Sequence, residues 1–342
     1  EVSQVKWASA HDCHVTINEG ARGHYLVDYT TTSTKKYLED LVAAQQLPEA
    51  DRLMLLNSSA MLARAGYQSY ADTLRLLTAY ETEASEPVWD IIGLVASEVR
   101  RFVDVDESLE PHIRTLSRTI IQQQYARLGW EPAQGETVAD TKLRGLILGF
   151  GAYGEDEAIL KTMRSLFADY VKNGTALSAE LRPLIMSVPV KDGDASAVDF
   201  LLSLHDGTQN SELKSDTSDP QVAARLLARL KNGKLVKPQD VDRWLVNLMR
   251  NRYTRDIAWQ WMIDEWAWLQ KTFENDKSYD YLPRYAAGTV NTRAYEQKYH
   301  DLFDSKLDQP SLKRNIAIGF EEISSRLTWL ERDLKAIQSY FK

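Results

Sequence analysis

The sequence predicts a mainly α-helical chain, a curved superhelix or bowl of about fourteen helices preceded by a short β-hairpin. Three observations carry this expectation. The 16 Gly and 10 Pro among 342 residues make about 8% of the chain, against a usual share near 12%, too few turn residues for a sandwich or barrel. The apolar spacing changes from two to between three and four at about Ser33. Start and stop signals then recur: Pro48, Pro87, Pro220 and Pro238 stand near helix starts, and Gly66, Gly129, Gly174 and Gly233 follow the last apolar residue of a run.

Residues 5–29 are the exception to the helical pattern. Val15, Ile17, Tyr25, Val27 and Tyr29 alternate with polar residues around Asn18-Glu19-Gly20-Ala21-Arg22-Gly23, which predicts a β-hairpin. A lone hairpin is marginal in water, so it needs a sheet to join or a helical body to lean on. Further on, Val88, Ile91, Ile92, Val95, Val99 and Phe102 form one helical stripe, and Ile159, Leu160, Met163, Leu166, Phe167, Tyr170 and Val171 form another. The last helix is expected over residues 309–340, unusually long, with Gly319 as its expected point of breakage. Helix-turn-helix units recur at about 35 to 45 residues, the spacing of HEAT-like arrays. Residues 209–219 (QNSELKSDTSD) are polar and too short for the helix that the alternation would place before Pro220; either a repeat is truncated there or residues are absent.

Composition bounds the function. The length admits about two domains, and at this size no metal or disulfide is needed for stability; the single Cys13 cannot form an internal disulfide. A net charge of -8 without a Lys/Arg block argues against nucleic acid as partner. No apolar run approaches a membrane span and no signal peptide stands at the start, so a soluble, cytoplasmic chain is expected. It begins with Glu1, not Met, and the natural N-terminus is expected to lie elsewhere.

Motifs for chemistry are few. Gly149-Phe150-Gly151-Ala152-Tyr153-Gly154 fits GxGxxG, with Asp169 twenty residues after Gly149. However, Leu143, Leu146, Ile147 and Phe150 put a helix before it, where a pyrophosphate loop needs a strand, so a helix end with a new start at Glu155-Asp156 is the preferred reading. His11, Cys13, His14 and His24 cluster locally, but His11 and Cys13 would share a strand face that His14 does not, and no HExxH, CxxC or HxH spacing occurs. His112, His205 and His300 each stand alone in a predicted helix, and there is no GxSxG elbow.

The richest stretch is residues 240–273, which holds Trp244, Trp259, Trp261, Trp266 and Trp268. Trp259, Met262 and Trp266 share a helical face, while Trp261 and Trp268 point about 160° to 200° away, so a helix enclosed on several sides is expected. Just before it Arg250, Arg252 and Arg255 crowd a loop, either as helix-capping and surface charges or as an anion site for a peptide carboxylate.

Here the sequence resembles a known family. Arg250-Asn251 followed by Ile257-Ala258-Trp259-Gln260-Trp261 and Trp266 looks like a stretch of the helical C-terminal domain of the M1 zinc aminopeptidases, the type found in the endoplasmic-reticulum and puromycin-sensitive enzymes. Residues 315–340, with Ile323, Trp329, Leu330, Asp333 and Leu334, resemble its terminal helix. Asp51-Arg52, Leu62-Ala63-Arg64-Ala65-Gly66, Tyr80-Glu81-Thr82-Glu83 and Pro87-Val88-Trp89 are similar to its opening helices, and Gly23-His24-Tyr25-Leu26-Val27-Asp28-Tyr29 to the G-Y-Y-R-V-N-Y strand before them, with Leu26 in place of the usual Arg.

The resemblance implies residues 1–32 as the terminal strands of a small β-sandwich and residues 33–342 as a HEAT-like helical domain. It implies that zinc sits in an upstream catalytic domain of the same polypeptide, whose HExxH and GxMEN motifs are absent from these 342 residues, with no cofactor in this chain. The chain then has no catalytic residue of its own; it caps the active-site chamber of an enzyme that removes N-terminal residues from peptides. Arg250 and Arg100 match basic positions that, in antigen-trimming members, take the peptide C-terminus, while the short stretch 209–219 departs from the family by deleting the helix that would supply a third. The alternative is a free-standing helical-repeat scaffold binding another protein on its concave face.

Overall fold

A computed structural model of the chain describes residues 15–207, 220–233, 236, 238–273 and 277–342. The first half holds α1 (Thr32–Ala43), α2 (Glu49–Ala65), α3 (Tyr70–Thr78), α4 (Glu86–Val99), α5 (Glu110–Leu128), α6 (Val138–Tyr153), α7 (Glu157–Asn173) and α8 (Arg182–Lys191). The second holds α9 (Ala195–Gly207), α10 (Pro220–Leu230), α11 (Pro238–Arg250), α12 (Arg255–Asp264), α13 (Trp266–Thr272), α14 (Leu282–Ala287), α15 (Arg293–Phe303) and α16 (Pro310–Tyr340). These are sixteen helices among the described residues, against about fourteen expected. Part of the difference is the Trp-rich stretch, which breaks at Glu265 into α12 and α13.

Local signals place the helix ends. Pro87, Pro220, Pro238 and Pro310 open helices, where a missing N–H costs nothing. Gly66 and Gly174 end α2 and α7 in the left-handed region, φ +88° and +69°. Thr137 accepts the Asp140 N–H at 3.1 Å to cap α6, and Asp156 accepts that of Ile159 at 3.0 Å to cap α7. Gly149 and Gly151 lie inside α6, not in a phosphate loop; a Cβ on Gly151 would come within 2.2 Å of Ile159 Cδ1, so this glycine serves close packing of α6 on α7.

The expected hairpin is not formed: the described residues contain no strand, and residues 5–14 of that expectation lie outside them. Asn18 and Ala21 take left-handed φ values of 67° and 54°, and Glu19–Ala21 closes a single 3-10 turn. Side chains satisfy the backbone in place of a ladder. The Ile17 N–H donates to Tyr29 Oη at 2.9 Å, the Gly23 N–H to Asn18 Oδ1 at 2.6 Å, and the Gly20 N–H to Asp51 Oδ1 of α2 at 2.6 Å. With no third strand among the described residues, two arms alone are too weak to hold a ladder, and the segment leans on the helical body.

Two hydrophobic cores organise the helices. One gathers side chains of α1–α9, including Leu56, Trp89, Phe102, Ile147 and Met163; the other gathers those of α8–α16, including Leu245, Trp259, Leu269 and Phe303. The long helix α16 is shared. Its Leu312, Ile316, Ile323 and Leu327 enter the second core and its Trp329, Leu330 and Ile337 the first. It spans 31 residues without the break expected at Gly319. Gly319 is buried there, and a Cβ would meet Tyr299 Oη of α15 at 2.1 Å, so the glycine admits a neighbouring ring. At the other end Asp333 Oδ2 accepts the Tyr70 N–H at 3.0 Å and so anchors α16 to the start of α3.

The tryptophans divide as the helical angle predicts. Trp259, Met262 and Trp266 are buried, while Trp261 and Trp268 pack edge to face, 5.9 Å between centroids, on a half-buried side. A buried ion pair ties α2 to the α3–α4 turn: Arg52 Nε and Nη2 donate to Glu83 at 2.6 and 2.9 Å, and Glu83 also accepts the N–H groups of Ala84 and Ser85.

Candidate functional site

A cleft of about 530 Å³ lies where elements of the two cores meet. From the first half it is lined by Arg100, Arg101, Asp104, Glu110 and Tyr153, and from the second by Arg250, Arg252, Arg255, Thr289 and Asn291. Helix ends supply nearly all of it. α4 stops at Val99 and tightens into a 3-10 turn over Arg100–Asp104, α6 ends at Tyr153, α11 ends at Arg250 and α12 begins at Arg255. Helix C-termini present unsatisfied carbonyls and partial negative charge, which favours arginine there.

Some of these arginines hold the fold. Arg255 is buried; its Nε donates to Met249 O at 3.0 Å, closing the end of α11, and its Nη1 to Asp104 Oδ2 at 2.7 Å. The same Asp104 oxygen accepts Asn291 Nδ2 at 2.7 Å, so one carboxylate joins the turn after α4 to α12 and to the loop after α14. Arg252 donates to Glu110 at 2.8 Å and to Glu107 at 2.6 Å. Arg101 Nη1 donates to Gly288 O at 3.1 Å and Asn291 Oδ1 at 2.8 Å, both neutral acceptors.

Arg100 and Arg250, the two residues singled out in the sequence, both line this cleft. The Arg100 guanidinium carbon lies 3.4 Å from the Tyr153 ring centroid and 5.8 Å from that of Phe150, a cation–π stack, while its buried Nε has no hydrogen-bond partner among the described residues. Burial pulls Arg100 and Arg101 below the ordinary arginine range and pushes the Tyr153 hydroxyl up. Arg250 is exposed and its side chain has no carboxylate within reach among the described residues. Of the loop arginines, Arg255 caps a helix and Arg252 is paired, as the structural expectation had it, while Arg250 is exposed.

Chemically the cleft can hold an anion through charge-assisted hydrogen bonds. Sequence reasoning missed Arg101 and Tyr153. Tyr153 stands in the GFGAYG stretch, three residues after Phe150 and so on the same helical face, but spacing within α6 does not show that Arg100 packs there. Residues 209–219, where the helix that supplies a third basic residue in the family is expected to be deleted, lie outside the described residues.

The other candidates give no second site among the described residues. Among the described residues no group of three or more His, Cys, Asp or Glu is placed to hold a metal, so zinc finds no ligand set there. His11, Cys13 and His14 lie outside the described residues and His24 is exposed. His112 stacks on Phe341, and His300 stacks on Phe320 with its Nδ1 3.0 Å from Asp304; the side chain of His205 lies outside the described residues. No described helix is long and apolar enough to cross a membrane.

Comparison with known proteins adds the following. Residues 14–325 match the family described as ERAP1-like C-terminal domain. Aminopeptidase N of Lactococcus lactis subsp. cremoris (strain MG1363) is 29% identical over 329 residues, covering 94% of this chain and 38% of the relative. Aminopeptidase N of Lactococcus lactis subsp. lactis (strain IL1403) is 30% identical over 324 residues, 92% of this chain and again 38% of the relative. Glutamyl aminopeptidase of Bitis rhinoceros is 25% identical over 327 residues, with 34% of its length covered. The chain therefore spans less than two fifths of the curated relatives it matches.

Proposed function

The chain belongs to the family of ERAP1-like C-terminal domains, and from that membership we propose that it is the non-catalytic C-terminal part of an M1 zinc aminopeptidase. In this proposal residues 33–342 form a HEAT-like helical bowl that caps the peptide chamber. Residues 1–32 are the end of a small domain that precedes the bowl. The full enzyme removes N-terminal residues from peptides. Zinc would be held by an upstream catalytic domain of the same polypeptide, where it supplies a Lewis acid and an activated water.

One observation carries the contribution of this chain: Arg100 and Arg250, from the two halves of the chain, line one cleft and both lack a carboxylate partner among the described residues. We assign them the C-terminal carboxylate of a peptide whose N-terminus lies in the catalytic domain. Arg100 is held in place by Tyr153, so its donors need little reorganisation on binding. The upstream reading frame is the first test. HExxH and GxMEN within several hundred codons are expected; their absence would leave the helical scaffold as the better account.

A further inference from the structure

Two carboxylates hold Arg252, and they are themselves held unequally. Arg252 Nη1 donates to Glu110 at 2.8 Å and Nη2 to Glu107 at 2.6 Å. Glu110 lines the cleft, its side chain is 19% exposed, and it also accepts Arg114 Nη2 at 2.8 Å. It is locked between two arginines. The Glu107 side chain is 82% exposed, and Arg252 is its one side-chain partner among the described residues. Its turn is fixed where the side chain is not: the preceding residue, Asp106, accepts the Ser108 N–H at 3.0 Å and Gln338 Nε2 of α16 at 2.6 Å.

Arg252 lines the same cleft as Arg100 and Arg250. A run of contacts leads from it to Arg100. Glu110 joins Arg252 to Arg114, the Arg114 guanidinium carbon lies 6.0 Å from the Tyr153 ring centroid, and Arg100 stacks on that ring at 3.4 Å. Arg250 stands two residues before Arg252, at the end of α11. An exposed ion pair is worth little, because water solvates both partners and holding two long side chains costs entropy. A carboxylate entering a cleft whose donors are already ordered competes on better terms. The Nη2 donor of Arg252 is thus taken by the partner it gives up most easily.

We propose that Glu107 is an autoinhibitory contact, which occupies Arg252 Nη2 until an anionic peptide terminus displaces it. The proposal rests on the assignment of the peptide C-terminus to this cleft. Glu110 stays in place and keeps the guanidinium oriented, so the exchange moves one exposed side chain and no backbone.

The test uses the full-length protein and one ten-residue peptide, as free acid and as carboxamide, with KM read for each. Glu107→Ala should lower KM for the free acid about threefold, the worth of one exposed ion pair, and leave KM for the carboxamide unchanged. In an Arg252→Gln background, where Glu110 still has Arg114, the same substitution should have no effect. An equal gain in that background would mean that Glu107 acts only through its charge at a distance, and would overturn the proposal. The unsubstituted protein tests the underlying assignment alone: if free acid and carboxamide have equal KM there, the peptide C-terminus is not held in this cleft and both readings fall. If the free acid is preferred but Glu107→Ala changes nothing, the inhibitory contact is wrong and the carboxylate assignment stands.

Discussion

The Arg100 guanidinium carbon stands 3.4 Å from the centroid of the Tyr153 ring, joining the end of α4 to the end of α6 at the mouth of a basic cleft. A guanidinium held this way keeps its hydrogen-bonding edge free while its face is covered. Tyr153 is thus a positioning residue for Arg100. Replacing it with Phe should preserve peptide affinity in the full-length protein within about twofold, because the ring face is retained. Tyr153→Leu should raise KM for long peptides by about 3- to 10-fold, the worth of a partly desolvated cation–π contact, with kcat for short substrates unchanged. Equal effects of Phe and Leu would show that the hydroxyl, not the stack, matters.

The Arg52–Glu83 pair makes a stability prediction independent of function. Both side chains are buried, and Glu83 also accepts two backbone N–H groups that start the turn into α4. Arg52→Met leaves that carboxylate without its counter-charge and should cost about 3–5 kcal/mol in denaturant unfolding. A loss below about 1 kcal/mol would mean that the carboxylate finds another partner.

Gly319 tests the packing of α16. Gly319→Ala would gain about 0.5–1 kcal/mol of helix propensity, but its Cβ would fall 2.1 Å from Tyr299 Oη and 3.2 Å from Ala287 Cβ. The ring of Tyr299 is fully buried and has nowhere to retreat. Net destabilisation of about 1–3 kcal/mol is expected. Tyr299→Phe alone should be neutral or mildly stabilising, because the lost hydroxyl is buried without a hydrogen-bond partner among the described residues. Thermal unfolding of the two single variants and the double variant checks this, with partial recovery expected in the double.

How far the sequence was legible follows from which signals are local. Pro at helix starts and Gly at helix ends act within one turn, so Pro87, Pro220, Gly66 and Gly174 marked boundaries correctly. The hairpin failed because alternation records only a potential face. With Asn18 and Ala21 left-handed and Tyr29 Oη taking the Ile17 N–H, no ladder forms. The expected break at Gly319 failed for a tertiary reason, the approach of Tyr299 from another helix. In the site, Arg250 came from the crowding of three loop arginines and Arg100 from family resemblance, and both line one cleft. Arg101 and Tyr153 were not foreseen, because nothing in spacing alone shows that the turn after α4 would face the end of α6.

The central claim is that this chain supplies the carboxylate site for long peptides. Arg250→Ala in the full-length protein, assayed with ten-residue peptides and with a dipeptide-like reporter too short to reach the cleft, tests it most directly. Loss of one charge-assisted contact predicts about a 10-fold rise in KM for the long peptides, with the reporter unchanged. An equal effect on both substrates would contradict the account and leave Arg250 a structural residue.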